Sequence, residues 1–196
     1  MTERCIVFLG NPGQEYEKTR HNIGSMLSNQ LEFELGITIQ WSVKFNGLVG
    51  SIDVEHMKII VFKPQIFMNL CGSAIRKLCD FHKLSAVNLI VIHDDLELNF
   101  GEIAYKVNGG AGGHNGLRSI DTHLGSSEYL RCRIGIGRPI HGDIANFVLS
   151  RFTKEEEISL PLILETASKS LSNILRGSTQ PTGKLRVIPD FKKGRK

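Results

Sequence analysis

Three stretches of the chain set an asparagine in a turn-like context: Asn11 in Gly10-Asn11-Pro12-Gly13, Asn69 in Phe67-Met68-Asn69, and Asn115 in His114-Asn115-Gly116. Elsewhere His21 stands beside Asn22, and an apolar run ends on His93-Asp94-Asp95. A histidine with a carboxylate makes a base that works near neutral pH. The imidazole takes a proton from water, while the carboxylate holds its tautomer and stabilises the imidazolium. Uncharged amides each supply two donors and an acceptor, which suits gripping a peptide bond or an oxyanion whatever side chains the substrate carries. Taken singly, each asparagine is also an ordinary turn residue and Asp94 an ordinary cap. His93 precedes Asp94 in an extended run, so its side chain points the other way and reads as structural.

Other chemistries fail on the residues themselves. Gly110-Ala111-Gly112 has Asn115 where a dinucleotide fingerprint needs its third glycine. The stretch from Gly177 to Gly183-Lys184 is one residue too long for a phosphate loop and continues with Leu185. No serine sits in a G-x-S-x-G elbow and no cysteine in a protease signature, which disfavours covalent catalysis. The seven histidines form no H-E-x-x-H and no Cys/His cluster, so no metal and no cofactor is expected. Cys5, Cys71, Cys79 and Cys132 lie far apart in apolar stretches without a C-x-x-C pair, as buried thiols in a reducing cytosol do.

For the polar groups to meet, strands must carry them to one edge of a sheet. Residues 5–9 are short, apolar and β-branched and run into the Asn11 loop, the pattern of a buried strand followed by a tight turn. Residues 89–92 repeat that pattern and deliver His93-Asp94. Ile23, Met26, Leu27, Leu31 and Leu35 recur at helical spacing, with Gly36 at the C-cap position. Two β-like segments follow near 38–45 and 48–62, then a loop over 64–72 and a helix through Ile75, Leu78 and Phe81. Residues 101–107 predict a strand entering the glycine-rich loop 109–113, before a helix over 116–124 and a strand over 131–137. Helices are expected over 144–149 and 158–175. This alternation predicts an α/β fold: one domain, three-layer α/β/α, with a mixed, largely parallel twisted sheet and its ligand beyond the carboxyl ends of the strands.

Composition sets the outer bounds. With 196 residues, 41% of them hydrophobic, the chain can bury one sizeable core, assigned here to residues 1–180. Residues 181–196 read as a basic, flexible tail that concentrates Lys184, Arg186, Lys192, Lys193, Arg195 and Lys196. No apolar run approaches the roughly 20 residues that span a bilayer, and the first residues lack a signal peptide's order, so a cytoplasmic protein without membrane contact is expected. A net charge of +4 permits a polyanionic partner without requiring one.

The order and spacing of these motifs resemble bacterial peptidyl-tRNA hydrolases. The resemblance runs from Cys5 to about Phe152 and is carried by five stretches. They are Gly10-Asn11-Pro12-Gly13 with Tyr16 and Thr19-Arg20-His21-Asn22; Phe67-Met68-Asn69 with Gly72; His93-Asp94-Asp95-Leu96; the run from Gly109 to Leu117; and the run from Arg131 to Pro139. It implies hydrolysis of the ester between peptide and tRNA by a monomer, with His21 as base, Asp94 orienting it and Asn11 beside the reacting centre. Asn69, Asn115, His114, Tyr16 and Met68 would hold the peptide, though Tyr16 and Met68 are equally readable as core or rim residues. Lys106 and Arg133 would approach the terminal phosphates of the tRNA, solvated surface charge being the plainer reading. Ala104 stands where relatives often carry a lysine, and Cys71 replaces a common serine. A non-catalytic RNA-binding protein on the same fold is the alternative expectation, and a small-molecule esterase with the same His-Asp pair is a third.

Overall fold

Residues 4–139, 141–178 and 184–186 are described in the computed structural model of the chain. The chain opens with β1 (Arg4–Phe8) and α1 (Ile23–Leu35), then β2 (Ser42–Lys44), β3 (Gly47–Val54), β4 (Met57–Pro64), α2 (Cys71–His82) and β5 (Leu89–Asp95). It continues through β6 (Glu102–Val107), α3 (Asn115–Leu124), β7 (Leu130–Gly135), α4 (Ile144–Val148), α5 (Lys154–Leu175) and β8 (Lys184–Arg186).

Among the described residues, eight strands join one sheet in the order β2-β3-β4-β1-β5-β7-β6-β8. The four central strands, β4, β1, β5 and β7, run parallel, and antiparallel strands extend both edges. Alternation along the central strands sends side chains to two cores. Ile6, Phe8, Ile90, Ile92 and Ile134 meet Leu27 and Leu31 of α1 and Ile163 and Leu171 of α5 on one face. Cys5, Val7, Leu89 and Val91 meet Ile75 and Leu78 of α2 and Leu117 and Ile120 of α3 on the other. This is the expected three-layer α/β/α arrangement, its parallel part confined to the centre.

Four elements depart from the sequence expectation. Residues 48–62 are not one strand but a hairpin of β3 and β4. Its turn residues, Glu55 and His56, both have positive φ, and neither is the glycine or asparagine that normally marks such a turn. Of residues 38–45 only 42–44 pair as strand. Helix α5 begins four residues before the expected start, because Thr153 and Glu156 close a capping box on its first turn. Of the basic tail, Lys184–Arg186 form the edge strand β8. The expectation of flexibility for 181–183 and 187–196 lies outside the described residues.

The register sets the site. Phe8 pairs with Ile92, so the chain leaves β1 just where β5 presents His93 and Asp94, and Leu9 N–H still donates to Ile92 O at 3.1 Å. Gly24 in the first turn of α1 lies against this junction; a Cβ there would sit 2.5 Å from Ile92 O and 2.7 Å from Leu9 O. Only glycine lets the helix start so near the strand ends, and this proximity brings His21 over Asp94.

Candidate active site

His21 sits in a 3₁₀ turn, residues 20–22, immediately before α1 and is 7% exposed. Its Nδ1 lies 2.8 Å from Asp94 Oδ1, and Nε2 of His114 lies 3.0 Å from the same oxygen. Burial raises a carboxyl, but here it is outweighed by the His21 and His114 rings and their hydrogen bonds, which hold Asp94 well below the usual carboxylate range. An ionised carboxylate only accepts, so His21 Nδ1 carries the ring hydrogen. Among the described residues its Nε2 has no hydrogen-bond partner, and it is left to the cleft.

Behind this pair lies His93, whose Nδ1 donates to the carbonyl of Asp94 at 2.7 Å. Its Nε2 is buried without a hydrogen-bond partner among the described residues. Burial first, then the nearby His114, pull its pKa down to about 3, so His93 is a neutral wall of the site, as alternation suggested. One ligand atom from each of His21, Asp94 and His114 lies within 4.8 Å of the others, close enough for a metal to use. In the structure they are engaged with each other as two hydrogen bonds to one oxygen.

The glycine-rich loop approaches from the opposite side. Gly109, Gly112 and Gly113 all take positive φ, which side-chain-bearing residues rarely adopt, and this path delivers His114 to the N-cap of α3. Arg131, 3% exposed on β7, reaches under the loop and donates to Gly109 O at 2.6 Å and Gly110 O at 2.7 Å. At the third wall, Asn11 Oδ1 accepts from Met68 N–H at 2.8 Å. The Asn22 side chain clamps the Asn11 backbone, accepting from its N–H and donating to its carbonyl.

These groups line one cleft of about 870 Å³. All ten sequence-selected residues reach it: His21, Asp94, Asn11, Tyr16, Met68, Asn69, Asn115, His114, Lys106 and Arg133. Tyr16 and Phe67 pack edge to face, with ring centroids 6.3 Å apart. Met68 is 3% exposed and packs among the α2–α3 core, whereas Asn69 and Asn115 are exposed. Lys106 is exposed, while Arg133 is paired with Asp95 at 2.7 Å. Ile144, Val148 and Leu149 of the α4 segment form the remaining wall.

Three residues that sequence reasoning gave no role hold the site together: Asn22, Arg131 and Arg20. Arg20 is 4% exposed and donates to Ser150 Oγ at 2.7 Å, to the Arg151 carbonyl, and to Glu156 Oε2 at 2.5 Å. Its guanidinium also stacks over Phe147, 4.4 Å from the ring centre. The residue next to His21 is therefore tied to the segment that walls the cleft.

Comparison with known proteins agrees with this geometry. Residues 5–190 match the family described as peptidyl-tRNA hydrolase. The chain is 49% identical over 165 residues to a peptidyl-tRNA hydrolase of Geotalea uraniireducens (strain Rf4), covering 84% of this chain and 86% of the relative. It is 47% identical over 187 residues to that of Bacillus subtilis (strain 168), covering 95% and 96%. The solved structure of peptidyl-tRNA hydrolase from Acinetobacter baumannii superposes with a TM-score of 0.82 at 34% identity, covering 89% of each chain. The network of His21, Asp94 and the cleft asparagines thus sits on a shared scaffold, and the chain belongs to the peptidyl-tRNA hydrolase family.

Proposed function

We propose that, in hydrolysing the ester of peptidyl-tRNA, this chain uses His21 as the general base. The observation that carries this is the 2.8 Å contact between His21 Nδ1 and Asp94 Oδ1, with Nε2 left to the cleft. A water held against Nε2 loses its proton to the ring as its oxygen attacks the ester carbonyl. Asp94, buried and ionised, stabilises the imidazolium that forms and keeps the basic nitrogen turned toward the substrate. The proton then passes from His21 to the departing ribose oxygen.

Asn11 supplies donors to the carbonyl oxygen as charge develops, because its own carbonyl is used by Met68 N–H and its Nδ2 hydrogens remain. Asn69 and Asn115, exposed on the rim, hold the peptide backbone, and the Tyr16–Phe67 pair packs against its side chains. Amide-to-backbone bonding makes recognition independent of peptide sequence. Lys106 meets the phosphates of the acceptor end; Arg133 is held by Asp95 and assists through that pair. Residues 1–180, together with the β8 strand that pairs with β6, constitute the catalytic domain, which acts as a monomer in the cytoplasm. Among the described residues, no helix is long and apolar enough to cross a membrane.

The test is tRNA release from N-acetyl-aminoacyl-tRNA beside turnover of a simple aryl ester, with EDTA present and absent. Rapid release of tRNA with slow ester turnover is expected, unaffected by EDTA. Tight tRNA binding without release would overturn the proposed roles.

A further inference from the structure

His114 joins two parts of the site that must stay in place: the first turn of α3 and the carboxylate of Asp94. Its Nδ1 accepts from Gly116 N–H at 3.1 Å and from Leu117 N–H at 3.3 Å. Two donors aimed at one ring nitrogen require a lone pair there, so the ring hydrogen sits on Nε2. That nitrogen lies 3.0 Å from Asp94 Oδ1 and donates to it. Both ring nitrogens are thereby used inside the protein, and the side chain is only 8% exposed. His21 differs in this respect, with one nitrogen used and one left to the cleft.

We infer that His114 is a positioning residue for the base: a helix-anchored donor that fixes Asp94, and through Asp94 fixes His21, and not a group that binds peptide. A carboxylate bonded to one histidine can still turn about its own axis. A second donor on the same oxygen, itself pinned by two backbone N–H groups and by the loop that Arg131 holds, removes that freedom. The same bonds decide which of two histidines facing one carboxylate is the base, because His114 has no free nitrogen to offer water. The inference rests on the reading of His21 as base.

The test compares wild type, His114→Asn, His114→Ala and His21→Ala in turnover of N-acetyl-aminoacyl-tRNA, with nitrogen-15 NMR of the histidine rings. Asparagine is a good N-cap, so His114→Asn keeps the start of α3 but is too short to serve Asp94 as well. Its kcat is expected to fall about ten- to a hundredfold, the size of one hydrogen bond to a charged group, with KM within about twofold. Both variants leave the buried Asp94 one donor short and should melt below wild type, His114→Ala further below because it also loses the cap. The wild-type spectrum should show His114 protonated on Nε2 alone, and the His21 Nδ1 proton signal should shift in His114→Asn. A rise in KM at unchanged kcat, or unchanged kinetics altogether, would overturn the inference while leaving His21 as base. Full activity of His21→Ala would instead remove the reading beneath it.

Discussion

The side-chain oxygen of Asn11 accepts the backbone N–H of Met68 at 2.8 Å, and this one contact sets which end of the Asn11 amide faces the cleft. The amide nitrogen is what remains for substrate. Asn11→Asp keeps an acceptor for Met68 and replaces two donors by negative charge. It should fold as wild type does and lose about 10²- to 10³-fold in kcat, as removal of an oxyanion donor does. Thermal unfolding and steady-state turnover check the two halves, and near-normal kcat would take Asn11 out of the reaction.

Arg20 makes a different kind of demand. Its side chain is 5% exposed and Glu156 is 21% exposed, so removing the arginine strands a carboxylate that water reaches only in part. Arg20→Met should lower stability by about 3 kcal/mol, near the low end for breaking a buried pair. Glu156→Gln should cost only about 1 kcal/mol, because Arg20 keeps its bonds to Ser150 and the Arg151 carbonyl. Urea unfolding measures both, and equal costs would mean that the ion pair alone carries the contact.

His93 sets the acid side of the stability curve. Its ordinary value of 6.5 falls to about 3 on folding, so below pH 6.5 the unfolded chain takes up a proton that the folded chain refuses. The stability this confers is complete above 6.5 and is lost as pH falls toward 3, by at most about 1.4 kcal/mol per pH unit. Asp94, depressed on folding, adds a loss of the same sign only below about pH 4. His93→Asn keeps a donor for the Asp94 carbonyl without the titrating ring. Urea midpoints between pH 4 and 6.5 should then vary less in the variant than in wild type, and parallel curves would contradict this origin.

Lys106 and Arg133 are separated by their partners. Exposed Lys106 should contribute to tRNA affinity through counterion release, so Lys106→Ala should reduce the slope of log K against log salt by about 1. An unchanged slope in titrations from low to physiological salt would remove Lys106 from the tRNA contact.

Asn11, Asn69 and Asp94 were legible because each lies in a short polar motif at the end of an apolar run, and the parallel strands β1, β4 and β5 collect such ends on one edge; His114 and Asn115 follow the antiparallel β6 and reach that edge only through the glycine-rich loop. What holds them was not legible. Arg20 and Glu156 are 136 positions apart and meet only because α4 and α5 pack beside the first loop. Arg131 reads as a lone charge in a strand until the register places it under Gly109 and Gly110. His114 is not among the usual N-cap residues, so its anchoring of α3 has no sequence signal. The Glu55-His56 turn was missed for a like reason: its backbone is set by the pairing of β3 with β4, not by turn residues.

The most direct test of the central claim is single-turnover release of tRNA from N-acetyl-aminoacyl-tRNA by His21→Ala, with binding of the substrate measured on the same protein. Release slowed by at least about 10²-fold with affinity and fold retained is the expected result. Release at the wild-type rate would show that another group takes the proton from water, and the roles assigned to Asp94 and His114 would fall with it.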